Sequence, residues 1–403
     1  MHAGIVRISK QRGAFIVTVC LMLFFLLGFI GIALDFGRLF IVKTELQTAT
    51  DACALAAAQE LDRQPDALVR ATNAGLAAGN ANGVVMQSGN WNGRGRLNAN
   101  NLSFRDANHT LTTTPDQARY ARCEHTQRAT ATPLLRMLAV FGNNAVADAG
   151  ADVFARAEAT LAPSQSTCPL PLALKPRLPG VKPDYGFVKG EWLTLLSKGS
   201  ATNGQIGWAN LDGSNNASET EAELKGYCGT RVNDQLGTPG VQQSVADVWN
   251  ARFGIYKNNS GPDRAQPDYT GYVYTAKNHA PGRNALADFQ AKRLAFAACA
   301  ASLAACETAT GIKLNSFQSL ATPGSGGELR RYGGNRRIAP VPVVNGANKV
   351  VDFACMLMLQ PVPSPMADVQ LEYLGNASEP GSPCIASGLP GGSAGPLVPV
   401  LVL

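Results

Sequence analysis

Nine cysteines, four histidines and one dense arginine cluster are the residues of this chain with types suited to redox, metal or anion chemistry. Cys20 falls inside an apolar run, which leaves Cys53, Cys123, Cys168, Cys228, Cys299, Cys306, Cys355 and Cys384. No CxxC pair occurs, so neither a zinc ribbon nor a thioredoxin-like dithiol is indicated. An even number of cysteines in an exported region reads as a disulfide framework whose pairing the spacing does not assign. Cys299 and Cys306 lie in AKRLAFAACAASLAAC, read as part of one helix over residues 288–307. In such a helix they would be about 10 Å apart along the axis. A bridge needs Cα atoms within about 7 Å, so each is expected to pair elsewhere.

The histidines are His2, His109, His125 and His279. Cys123 and His125 share a face of a strand pattern, but no further His or Cys lies near them in sequence, so a disulfide cysteine beside an exposed histidine outweighs a metal site. Gly324, Ser325 and Gly326 in PGSGGE approach a nucleophile elbow without its spacing. P-loop, GxGxxG and HExxH motifs are lacking. The chain is therefore read as not an enzyme, with no catalytic residues, no cofactor and no metal. Arg330, Arg331, Arg336 and Arg337 surround Tyr332 in LRRYGGNRR. They offer an anionic surface contact, although a solvated hairpin end before Ile338 is the stronger reading. A net charge of +6 with 16% charged residues carries no broad nucleic-acid footprint, and no nucleic-acid partner is expected.

The elements that must position these groups begin with AFIVTVCLMLFFLLGFIGIAL, residues 14–34, which carries no charge. As a helix it spans about 31 Å, close to the hydrocarbon thickness of a bilayer. It is longer than the apolar core of a cleavable signal peptide, so it reads as an uncleaved anchor. Arg7, Lys10 and Arg12 precede it and hold the N-terminus in the cytoplasm. Asp35 and Arg38 mark the water boundary. Leu39, Val42, Leu46, Ala49, Cys53, Ala56 and Leu61 then recur at helical spacing, so an amphipathic helix continues the membrane helix. Its small residues, Ala49, Ala52, Cys53 and Ala56, allow a close approach by another backbone. Packing on a sheet alone is the plainer alternative.

RGAF at residues 12–15, the apolar run, and GIALDFGRLFIVKTELQTATDACALAAAQEL together resemble the N-terminal module of TadE/TadG-like proteins of tight-adherence (Flp) pili. SGNWN, ARYARCEHTQRATATPLLRMLAVFG and AVADAGADVFARAEATL extend the likeness more weakly. The resemblance implies a pilin-like build, with one helix serving as membrane anchor and as the spine of a small antiparallel sheet. It also implies inner membrane lipid, other pilin-like subunits and the tight-adherence secretion machinery as partners. Processed pilins carry Glu at the fifth position after the cleavage glycine. Counting from Gly13 that place holds Thr18, so no peptidase processing is implied. Longer relatives carry a DxSxS metal site, and the nearest match, Asp212, Gly213, Ser214, Asn215 and Asn216, lacks its second serine.

CPLPLALKPRLPGVKP marks a domain boundary, because repeated proline forbids helix and favours extended chain. Beyond it EWLTLL and GQIGWANLDG read as strands, VQQSVADVWNARFGIY as a helix, and RRIAPVPVVNGANKVVDFACMLMLQPV as two strands joined through Asn345-Gly346. The fold class is α+β: residues 1–12 cytoplasmic, 13–34 transmembrane, 35–162 a stem helix with a pilin-like β module, and 163–403 a disulfide-containing, mainly antiparallel β domain outside the bacterial inner membrane. The function expected is a membrane-anchored pilin-like component of Flp pilus assembly or display that contributes to adhesion. The alternatives are a membrane-tethered binding protein outside any fibre and a tethered hydrolase using His125 or His279.

Overall fold

The computed structural model describes residues 12–82, 96–130, 132, 134, 151–239, 245–257, 260–263, 265–295, 299, 302–386 and 388–402. It divides into two compact units, residues 1–160 with 401–403 and residues 161–400. SGNWN and most of PLLRMLAVFG lie outside the described residues.

The first unit is built on α1 (Arg12–Gln59), one uninterrupted helix of 48 residues. At 1.5 Å per residue it is about 72 Å long, far more than a bilayer core requires. α2 (Ala67–Ala81) folds back on it. Arg70 closes the turn between them with ion pairs to Glu60, Asp62 and Asp66. A short 3₁₀ turn at Ala99–Asn101 leads into β1 (Leu102–Arg105), β2 (Tyr120–Thr130) and β3 (Ala151–Pro163). These pair antiparallel, with Cys123 opposite both Leu102 and Ala157. One face of the sheet is almost entirely small: Ala121, Cys123, Ala155, Ala157 and Ala159 are fully buried. Such a face lets α1 lie close, with Val42 and Leu46 against Val153 and Ala155, and Cys53 and Ala57 in one cluster with Ala157 and Ala159. Val42, Leu46, Ala49, Cys53 and Leu61, five of the apolar positions read from sequence, are all buried.

The second unit contains a closed barrel of six strands. Its elements are β4 (Leu172–Leu174), β5 (Trp192–Leu195), β6 (Ile206–Trp208), α3 (Ala217–Gly226), α4 (Val245–Ala251), β7 (Ile255–Tyr256), α5 (Ala285–Ala295), α6 (Leu303–Thr310), β8 (Ser319–Leu320), α7 (Glu328–Tyr332), β9 (Ile338–Val344), β10 (Val350–Met358), β11 (Val369–Asn376) and β12 (Leu397–Leu401). Around the barrel the order is β10-β11-β5-β6-β4-β9. β9 and β10 form the hairpin expected at Asn345-Gly346, where the Asn345 side chain accepts from the NH groups of Ala347 and Lys349. Along β10 alternate residues enter two different cores. Ala354, Met356 and Met358 join a cluster fed by all six barrel strands, while Phe353, Cys355 and Leu357 pack with Phe289 of α5. A strand covered on both faces reads as the continuous apolar run seen here.

One expectation fails. Cys299 and Cys306 are bonded to each other, with Cα atoms 5.5 Å apart. The single helix that would have separated them does not form: α5 ends at Ala295, and α6 begins anew with the Ser302 side chain accepting from Ala305 NH. The other pairs are Cys53–Cys123, Cys168–Cys228 and Cys355–Cys384.

Candidate functional site: the anchor helix and its head

From Phe15 onward α1 is long and apolar enough to cross a membrane, with a mean hydropathy of 2.8 in its most apolar window. Its large side chains face outward without protein cover: Phe15, Met22 and Phe29 are each at least 70% exposed. Each such side chain costs about 1.5–3 kcal/mol to hold in water relative to burial, so this stretch is stable only in lipid or against other apolar surface. The exposed apolar character continues past residue 34 to Phe36, Phe40 and Ile41. There Phe36, Leu39 and Phe40 line a shallow hollow with Val153 and Phe154, closed at one side by the Lys43 ammonium, which donates to the Phe154 carbonyl.

Further along, the helix turns its small residues inward. Gly75 and Gly79 of α2, four residues apart, face Ala49, Cys53 and Ala57 of α1. A Cβ on Gly79 would lie 3.0 Å from the Ala49 carbonyl oxygen and 3.0 Å from Cys53 Cβ, and one on Gly75 would lie 3.1 Å from Ala57 Cβ. Small residues at four-residue spacing on both helices let the backbones close to this distance. The Cys53–Cys123 bond then fixes the spine to β2. Gln47 ties the same helix to β3 by donating to the Arg156 carbonyl at 2.9 Å. On β3, the buried Glu158 carboxylate receives Arg122 Nε at 2.5 Å and His109 Nδ1 at 2.7 Å.

The residues singled out from sequence are distributed as follows. Ala49 and Cys53 are sealed inside the first unit, whereas Ala52 and Ala56 on the neighbouring strip of the helix remain half-buried. Arg7 and Lys10, and the side chain of Arg12, lie outside the described residues. The arginine cluster is not one surface. Arg330 and Arg331 are exposed on α7, but Arg337 is fully buried, a correction to its reading as a surface contact. Its guanidinium donates to the carbonyls of Met358, Thr270 and Tyr272 and lies 4.0 Å from the centre of the Phe253 ring. Burial, the dominant influence, brings its pKa down to about 10. Arg336 contributes its backbone NH to Asp268 and its guanidinium to Gln266. His125 meets Asn101 at 3.1 Å, and His279 stacks on Trp192 with Nε2 at 3.0 Å from the Arg283 carbonyl. Asp212 closes a turn on itself, its side chain accepting from Ser214 NH. No group of three His, Cys, Asp or Glu side chains that could hold a metal occurs among the described residues.

Sequence reasoning missed α2. The signal was present as Gly75 and Gly79 in NAGLAAGN, at the spacing that matches the small residues of α1.

An N-terminal helix long and apolar enough to cross a membrane thus runs without a break into the spine of an α+β head. Residues 13–60 match the family model of the TadE/G-like Flp pilus-assembly domain, so this part of the chain is similar to that domain, a likeness that supports involvement in the Flp pilus system. No curated protein and no solved structure matches the chain.

Proposed function

We propose that this protein is a non-enzymatic, pilin-like component of Flp pilus assembly or display, anchored in the bacterial inner membrane and contributing to surface adhesion. The carrying observation is the single helix α1, uncovered over a membrane's length and then packed as the spine of the head. Arg7, Lys10 and Arg12 stay on the cytoplasmic side, and the head and the barrel unit lie beyond the membrane. With Ala49 and Cys53 occupied inside the head, contacts to other pilin-like subunits fall to Ala52, Ala56 and the exposed Phe36 and Phe40.

The test is the double substitution Ala52→Leu and Ala56→Leu, which adds bulk to the half-buried strip and spares Ala49, Cys53 and Ala57, the positions that face Gly75 and Gly79. Surface fibres counted by electron microscopy should disappear while the protein stays at normal abundance in membranes. Normal piliation would argue against this face.

A further inference from the structure

The second unit brings three arginine side chains to one cavity beside a buried carboxylate. Arg252, Arg293 and Arg336 line a cavity of about 440 Å³. Asp268, fully buried, lies 3.5 Å from Arg293 Nε and accepts the backbone NH groups of Tyr269, Arg336 and Arg337. Arg252 donates to the Arg336 and Leu224 carbonyls, which carry no charge. Burial, reinforced by the charge of Arg336, brings Arg252 down to about 10. Glu223 also lines the cavity, but its oxygens accept from the NH groups of Leu211 and Asp212, and burial pushes it above the ordinary carboxylate range. Lys225 at the mouth pairs with Glu221. The cavity wall is therefore left with surplus positive charge. Arg293 Nε has only its long ion pair to Asp268, and Arg336, whose Nη2 donates to Gln266, keeps a buried Nε with no hydrogen-bond acceptor among the described residues. Desolvated guanidinium groups without enough carboxylates are costly unless an anion completes them.

The lining also includes the apolar side chains of Ile338, Pro340 and Ile385. Arginines together with apolar side chains in a cavity of this volume suit a small organic molecule better than a bare ion. We propose that this cavity binds an oxyanion-bearing ligand, a carboxylate or phosphate on a body of about sugar size, with Arg293 and Arg336 holding the oxyanion. The assignment is independent of the pilus reading.

The test is titration calorimetry of the full chain in detergent micelles at low ionic strength, with glucuronate, glucose 6-phosphate, glucose and inorganic phosphate as probes. Glucuronate or glucose 6-phosphate should bind saturably, one per chain, and the better of the two separates carboxylate from phosphate; glucose should not bind. Arg336→Gln should weaken binding about tenfold. Should that variant misfold, Lys225→Gln at the exposed mouth should still weaken it by roughly twofold, as expected for a screened surface charge. Failure of both acids to bind, binding by inorganic phosphate alone, or affinities unchanged in the folded variants would overturn the assignment.

Discussion

Replacing Gly79 by alanine isolates the helix–helix contact on which the head is built. The added methyl would lie 2.6 Å from Leu97 Cδ1, 3.0 Å from the Ala49 carbonyl oxygen and 3.0 Å from Cys53 Cβ. Leu97 can swing its δ carbon aside. The other two neighbours cannot move, because they belong to the spine that the Cys53–Cys123 bond fixes to β2. Alanine gains about 0.5–1 kcal/mol over glycine in a helix interior, and overpacking a tight contact costs about 1–3 kcal/mol. At the middle of both ranges the net destabilisation is about 1 kcal/mol, which raises the population of the opened α2 roughly 5-fold. Hydrogen exchange of the full chain in detergent, read on peptides covering residues 67–81, measures that opening directly. Gly37→Ala is the control, since nothing lies within 4 Å of the position and only the propensity gain remains. Exchange in α2 that is unchanged or slower in Gly79→Ala would refute the close-packing argument.

Four further outcomes follow from particular groups. Cys123→Ala releases a loop of 70 residues, and the chain-entropy relation puts the loss near 4 kcal/mol, visible as rapid proteolysis of the head under non-denaturing conditions. Non-reducing peptide mapping should recover Cys299 linked to Cys306; a link from either to another cysteine would contradict the break between α5 and α6. Arg337→Ala strands the buried carbonyls of Thr270 and Met358, at about 1–3 kcal/mol each, and the part-buried one of Tyr272, so the tryptophan-monitored melt of the barrel unit should fall by several degrees or be lost, and Arg337→Lys, which lacks the forked donor, should not restore it. Finally, burial raises the pKa of Glu372, although the NH of Ala285 and the indole of Trp192 donate to it. A carboxyl whose folded pKa is raised contributes stability that is present below its unfolded value and lost as pH rises through the folded one. Acidification through that window should therefore stabilise the unit, by at most about 1.4 kcal/mol per pH unit. Glu372→Gln should flatten the dependence of the melting temperature on pH, and an unchanged slope would count against the buried charge.

What could be read in the sequence was what one element specifies by itself. The apolar run, the helical spacing from Leu39 to Ala56 and the Asn345-Gly346 hairpin each carry their own period or turn chemistry, and each is present, with Leu61 just beyond the helix end at Gln59. Features that depend on distant partners were not legible. Barrel closure depends on two short parallel pairings, Leu174 with Val343 and Leu195 with Ile206, which no local pattern announces. The small residues of α1 advertised a close neighbour without saying whether it came from another chain, and at Ala49 and Cys53 the neighbour is α2 of the same chain. Arg336 and Arg337 are adjacent and chemically alike, yet one lines a cavity and the other is sealed under aromatic rings. The split between α5 and α6 was signalled by Ser302, whose side chain caps α6, but the alanine-rich sequence on either side concealed it.

The central claim is that this chain takes part in Flp pilus assembly or display, and deletion of its gene tests it most directly. Flp fibres sheared from the cell surface should be lost or greatly reduced in the deletion strain and return when the full chain is supplied. Fibres of normal number and length in the deletion strain would contradict the account.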